Sequence, residues 1–352
     1  MTTKSRHHTA PHARSLAALT VALLALTGCT GDDRGGDPDI GGGWELVWSD
    51  EFDGSEVDTA RWDYEVNCWG GGNNEQQCYT DRLENSYLEE GRLHIRADRE
   101  NFSGPRDPDD AQSYRADDTG ASRPFTSARL RTKDLADWTY GRIEVRAKLP
   151  EGQGIWPAIW MLSSEGAYGT WPLSGEIDIM EAINLNTPHR PDHALAGEIN
   201  NEVHGTLHYG QAWPNNRYSG TGIEPQKNVW EEFHTYAVEW EQGEMRWYID
   251  GEHFATQVSD GWFTTGSLED GTRGGTDAPF DRPFYLILNV AVGGQWPGPP
   301  NQDTVFPQIM QVEYVRVYEC SVDPATGRGC ASTVNPDIEP LPGNQPPDFL
   351  QD

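Results

Sequence analysis

The stretch SGEIDIMEAI, residues 174–183, sets three carboxylates close together: Glu176, Asp178 and Glu181. Side chains of an extended strand alternate between its two faces. Glu176 and Asp178 therefore share a face, and Glu181 points to the other. A β-bulge adds one residue and shifts that alternation by one. A bulge around Ile179–Met180 brings Glu181 back beside Glu176 and Asp178 and leaves Ile177 and the bulged apolar pair for packing. The acids then follow each other at i, i+2 and i+4, with the outer backbone positions about 13 Å apart. Two glutamates leaning inward can approach the separation of about 5–5.5 Å that retaining glycosidases use.

Three carboxylates in a row cannot all ionise cheaply, so a proton is shared or held among them. Asp178 can orient Glu176 and bias the row. One glutamate then stays ionised as nucleophile while the other is protonated as acid. A solvated acidic strand face and a calcium site are the other readings of the same pattern.

The flanking sequence is also strand and turn. RLHIRA alternates Leu93, Ile95 and Ala97 with polar residues, and RIEVRAKL alternates Ile143, Val145, Ala147 and Leu149 with charges. EFHTYAVEWEQGEMRWYIDGEHFAT reads as consecutive strands turning at EQGE and IDGE, and VEYVRVYE as a late strand. No long helical period is present beyond the N-terminal segment. Many short strands without βαβ alternation predict an all-β sandwich of two antiparallel sheets. The 38 Gly and 24 Pro supply the turns this requires.

Asp and Glu number 56 against 26 Lys and Arg, a formal charge of −30. That field repels polyphosphate and polyanionic substrates, so nucleic acid is excluded as a partner. The 14 Trp suit a surface on which sugar rings stack, although tryptophan cores are also common.

Residues 1–28 read as a signal peptide: basic and polar residues, the short apolar run SLAALTVALLAL, then LTGC. LTGC resembles a bacterial lipobox with Cys29 as the lipidated first mature residue. Residues 29–43, rich in Gly and Asp, form a flexible tether. Export implies an oxidising compartment. The remaining cysteines fall into two local pairs, Cys68 with Cys78 and Cys320 with Cys330, expected as disulfides. Residues 321–352 are rich in Pro, Gly and Asp and read as a C-terminal tail.

Several segments together resemble glycoside hydrolase family 16, in particular its laminarinase-like endo-β-1,3-glucanases. They are WSDEFDG, NNEQQCYT, TSARLRTK, YGRIEVRAKLPEGQGIWPAIWML, WPLSGEIDIMEAI, HGTLHYG, LNVAVGGQWPG and VEYVRVYE, in that order across residues 44–320. The resemblance implies a jelly-roll β-sandwich whose concave sheet forms a substrate cleft. Glu176 matches the nucleophile, Asp178 the assisting acid and Glu181 the acid/base. The bulged EIDIME form is that of laminarinase-like, agarase and carrageenase members, whereas the lichenases have one residue fewer.

By the same resemblance Trp160, Trp171 and Trp296 build sugar subsites, and His208 lies near the leaving-group side. Trp156, His204, Asn74, Glu75 and Arg129 are further sugar-contact candidates, and Arg129 alternatively forms a structural ion pair. Many members hold a structural calcium. Its ligands would be Glu51, Glu313 and a backbone oxygen near Gly91, with Glu313 standing where Asp is usual. Catalysis needs no cofactor.

The expected function is retaining hydrolysis of β-1,3-glucan by a monomer anchored through lipid on the outer face of the cell membrane, or released from it. Hydrolysis of mixed-linkage glucan or another polysaccharide, transglycosylation, and glucan binding without cleavage are the alternatives. The last typically loses catalytic acids, and all three are present here.

Overall fold

The computed structural model describes residues 40–346. The signal segment, Cys29 and most of the tether lie outside that range. Two antiparallel sheets carry the fold. The seven-stranded sheet runs, in spatial order, Arg217–Ile223, Val203–Tyr209, Glu176–Glu181, Ile155–Ser163, Phe284–Val292, Arg129–Arg131 and Asp63–Tyr64. The main path of the eight-stranded sheet runs Glu252–Val258, Glu244–Ile249, His234–Glu241, Gly141–Lys148, Gln308–Cys320, Arg92–Ala97 and Ser86–Glu89. Its remaining strand, Trp44–Asp50, pairs with the second half of the domain's last strand, closing the ends of the domain on each other. This is the expected all-β jelly-roll sandwich. One small departure is the parallel pairing of Gln77–Tyr79 with Phe125–Ser127.

The period-2 pattern explains the core. Ile143, Val145, Ala147 and Leu149 face inward and are buried, as are Leu93, Ile95 and Ala97. From the other sheet come Ile177, Met161, Leu207, Leu286 and Leu288. Trp240 and Trp247 fill the centre, each burying the large apolar area that makes aromatics dominate such cores.

Both expected disulfides are formed, Cys68–Cys78 and Cys320–Cys330. The C-terminal segment has no strand, yet it is tied down as far as it is described. Ser332 bonds the Ile40 carbonyl and Glu239, the Asn335 amide bonds His253, and the Leu341 amide bonds the Thr256 carbonyl. Backbone partners of this kind outweigh the composition that reads as a loose tail.

Candidate active site

The strand Glu176–Glu181 contains the bulge. Against Ile155–Ser163, Trp160 pairs with Asp178 but Ile159 pairs with Met180, so Ile179 is the extra residue. Against Val203–Tyr209, Asp178 pairs with Thr206 and Glu181 with His204, with the register shift between them. Ile177, Ile179 and Met180 all pack into the core. The three acids lie on the opposite, open face.

The core also holds the bulge from beneath. The Trp247 indole N–H donates to the Asp178 carbonyl at 2.9 Å. That approach needs Gly205 on the adjoining strand, where a Cβ would lie 2.4 Å from the Trp247 ring. HGTLHYG therefore supplies a glycine as well as two histidines. Sequence reasoning missed both Trp247 and the role of Gly205, because neither signals itself outside the packed sandwich.

Each outer carboxylate accepts an indole N–H. Trp171 donates to Glu176 at 2.7 Å and Trp156 to Glu181 at 3.0 Å. Trp156 and Trp296 meet edge-on at 5.4 Å, and Trp296 meets His204 at 5.3 Å, so these rings surround the Glu181 end. His208 sits at the Glu176 end, with Nε2 3.7 Å from Glu176 and 3.4 Å from Asp178.

Burial raises the Glu176 pKa to about 7, helped by the Asp178 charge and opposed by His208 and the Trp171 hydrogen bond. Burial pushes Glu181 well above the usual carboxylate range, with the Asp178 charge adding to it. For His208, burial favours the neutral ring, but Glu176, Asp178 and Glu181 outweigh it and raise its pKa to about 10. The site therefore sets the His208 cation against a row of acids, with Glu181 pushed toward its protonated form and Glu176 poised to change charge near pH 7.

The other expected residues divide. Trp160 lies on the open face beside Asp178, and its N–H is fixed by Asn289 at 2.7 Å. Asn289 was not anticipated. Trp171 is exposed and available to a ligand. Arg129 is buried, 3.1 Å from Glu65, with its guanidinium 4.5 Å over the Trp160 ring. It pairs across the strands with Asn289 and stacks on the Trp160 ring from the same face, close to the ion-pair alternative. Glu75 is also buried, accepting from Gln77 at 2.7 Å and Tyr79 at 3.4 Å, and it anchors its own loop. Asn74 is exposed on that loop in a left-handed conformation, φ 58°. The loop reaches the site, since a Cβ at Gly294 would meet both the Asn73 carbonyl and Trp156.

The residues expected for calcium do not fit it. Glu313 is 3.2 Å from Arg92 and 2.6 Å from Arg146, and Glu51 is 2.9 Å from Arg316. Gly91 lies in the turn just before Arg92. A hard divalent cation needs several free oxygen ligands, whereas these carboxylates are already neutralised by guanidinium groups that would repel the ion. His189, His193 and Glu202 also cluster within ligand distance of one another. The two imidazoles stack in parallel at 4.1 Å and 4°. Their in-plane lone pairs cannot meet at one ion, so this group does not fit a metal either.

Comparison with known proteins places this geometry. Residues 44–320 match the family model described as Beta-porphyranase A-D, GH16 domain. The chain is 39% identical over 295 residues to glucan endo-1,3-beta-glucosidase A1 of Niallia circulans, covering 80% of this chain and 39% of that protein. It is 40% identical over 306 residues to a beta-glucanase of Rhodothermus marinus, covering 84% and 92%. Among solved structures, the catalytic domain of an endo-1,3-beta-glucanase (laminarinase) from Thermotoga petrophila RKU-1 is 38% identical. It superposes with a TM-score of 0.63, covering 79% of this chain and 98% of that one.

Proposed function

Because this chain belongs to glycoside hydrolase family 16, we propose that it is a retaining endo-glycosidase that cleaves β-1,3-linked glucan by double displacement. Glu176 attacks the anomeric carbon and forms a glycosyl ester while Glu181 gives its proton to the departing glycosidic oxygen. Glu181, now ionised, takes a proton from water. The water oxygen attacks the same carbon, and Glu176 leaves as a carboxylate. Asp178 and protonated His208 tune Glu176 between these states. Trp160, Trp171 and Trp296 offer indole faces to the sugar rings.

The observation that carries this reading is the bulge. It sets all three acids on one open face, with an indole N–H on each outer one. Full retention of the acids argues against a protein that binds glucan without cutting it. The glucanase names of the 39–40% identical relatives favour β-1,3-glucan. The name of the family model favours an agar-type galactan as the second reading. Reducing-sugar release from laminarin, lichenan and agarose or porphyran separates the two. Release chiefly from laminarin is expected, and release only from the galactans would overturn the glucan assignment.

The protein is further proposed to act as a monomer, exported and anchored through lipid on Cys29. Incorporation of labelled palmitate into the parent but not into Cys29→Ser is the expected result. Equal labelling of both would end that part of the proposal.

A further inference from the structure

The row that contains the proposed nucleophile continues across the sheet. Glu176 pairs with His208, and His208 pairs with Tyr218 on the edge strand Arg217–Ile223. Cross-strand partners point to the same face, so Tyr218 stands on the open face, two strand spacings or about 10 Å from Glu176. Its ring lies 5.8 Å from that of His208, which in turn lies 6.1 Å from that of Trp171. Tyr218 is 67% exposed. Beyond it on the same face come Gly220 and Gly222, opposite Thr206 and His204, and these put no side chain over the sheet.

The outer edge of this strand is covered by the C-terminal segment, which lies beyond the residues matched to the family. The Asn344 side chain donates to the Tyr218 carbonyl at 3.0 Å and to the Tyr209 hydroxyl at 2.9 Å. Gly343, at φ +55°, lets the segment pass against Gly261, where a Cβ would lie 2.4 Å from backbone. Between the segment and the strand is a groove of about 530 Å³, lined by Asn216, Arg217, Tyr218, Leu341, Pro342 and Asn344, among others. An exposed aromatic ring beside polar Asn216, Arg217 and Asn344 is the chemistry that holds a neutral sugar chain.

We propose that Tyr218 and the segment Leu341–Asn344 form an additional holding site for the glucan chain, continuous with the catalytic row and built partly from sequence outside the family domain. The occupant is the same β-1,3-glucan, so the proposal rests on the function proposed above. The site engages only chains long enough to extend past His208. It therefore biases the enzyme toward long substrates without touching the reacting atoms.

The test is steady-state kinetics of the full chain on β-1,3-gluco-oligosaccharides of increasing length. Tyr218→Ala raises KM by about three- to tenfold for the longer members, with KM for the shortest cleaved members and kcat throughout near the parent values. Tyr218→Phe, which keeps the ring, restores the parent profile, and Asn344→Ala reproduces the Tyr218→Ala profile more weakly. A KM for Tyr218→Ala that matches the parent at every length, or rises equally at every length, overturns the proposal. A parent that cleaves no β-1,3-glucan of any length overturns the substrate reading, and with it the assignment of this groove to glucan.

Discussion

The two sheets each carry a line of acids on the face turned from the core, and the lines are neutralised differently. On the eight-stranded sheet Arg142 is 2.7 Å from Glu144 and 2.9 Å from Glu239. Arg246 holds Glu241 at 2.8 Å and Glu244 at 2.9 Å. Arg92, Arg146 and Arg316 hold Glu313 and Glu51. On the seven-stranded sheet Glu176, Asp178 and Glu181 have, among the described residues, one close cation, His208, itself titratable. Arg129 is nearby but already faces Glu65. Matched charges fix a surface. Under-matched charges hold protons, and held protons are what acid/base chemistry uses.

Removing the nucleophile breaks the contrast most severely. Glu176→Gln is expected to lower kcat on laminarin by about 10⁴-fold or more, measured by reducing-sugar release. The same variant should not be less stable. Burial raises the Glu176 pKa to about 7, above its ordinary value. The folded state therefore binds more protons than the unfolded state between those values, and its stability falls as pH rises through them. Above pH 7 the variant should melt higher than the parent, with the gap closing at low pH. A lower melting temperature at every pH would mean that Glu176 holds the fold together as the arginine-paired acids do.

The opposite substitution tests the other sheet. Arg142→Met leaves Glu144 and Glu239 buried without their shared cation, at a cost of about 3–5 kcal/mol. Denaturant unfolding should show that loss, while kcat per folded molecule stays near the parent value. A loss of kcat without a loss of stability would reverse the assignment of the two faces.

A smaller effect separates the cations. His208 has its pKa raised to about 10, so its contribution to stability is complete below its ordinary value and is lost as pH rises through about 10. The melting temperature of His208→Asn should lie below that of the parent near pH 6, and the difference should shrink toward pH 10. Smallest of all is the effect of chelation. EDTA should move the melting temperature by no more than about 1 °C, because linkage stabilisation needs a bound ion and Glu51 and Glu313 are already paired with arginine. A larger fall, reversed by added calcium, would show that an ion displaces those pairs.

How much of this was legible in the sequence follows from how local each feature is. The bulge was legible because EIDIME sets an alternation against a chemical requirement within one strand. The sandwich was legible from period-2 runs such as RIEVRAKL, and the disulfides from two short Cys loops. Trp247 under the bulge was not, since its hydrogen bond to Asp178 depends on packing across the core. Asn289 beside Trp160 was missed for the same reason. Glu75 and Arg129 were expected to face sugar, but their partners Gln77 and Glu65 draw them inward. The tail read as loose because composition says nothing of the edge carbonyls that Asn344 and Leu341 reach.

The alignment of Glu176, Asp178 and Glu181 by one extra residue is tested most directly by stereochemistry. ¹H NMR of laminarin hydrolysis, followed before mutarotation, reports which anomer forms first at the new reducing end. Double displacement at Glu176 gives the β-anomer. First appearance of the α-anomer would contradict it.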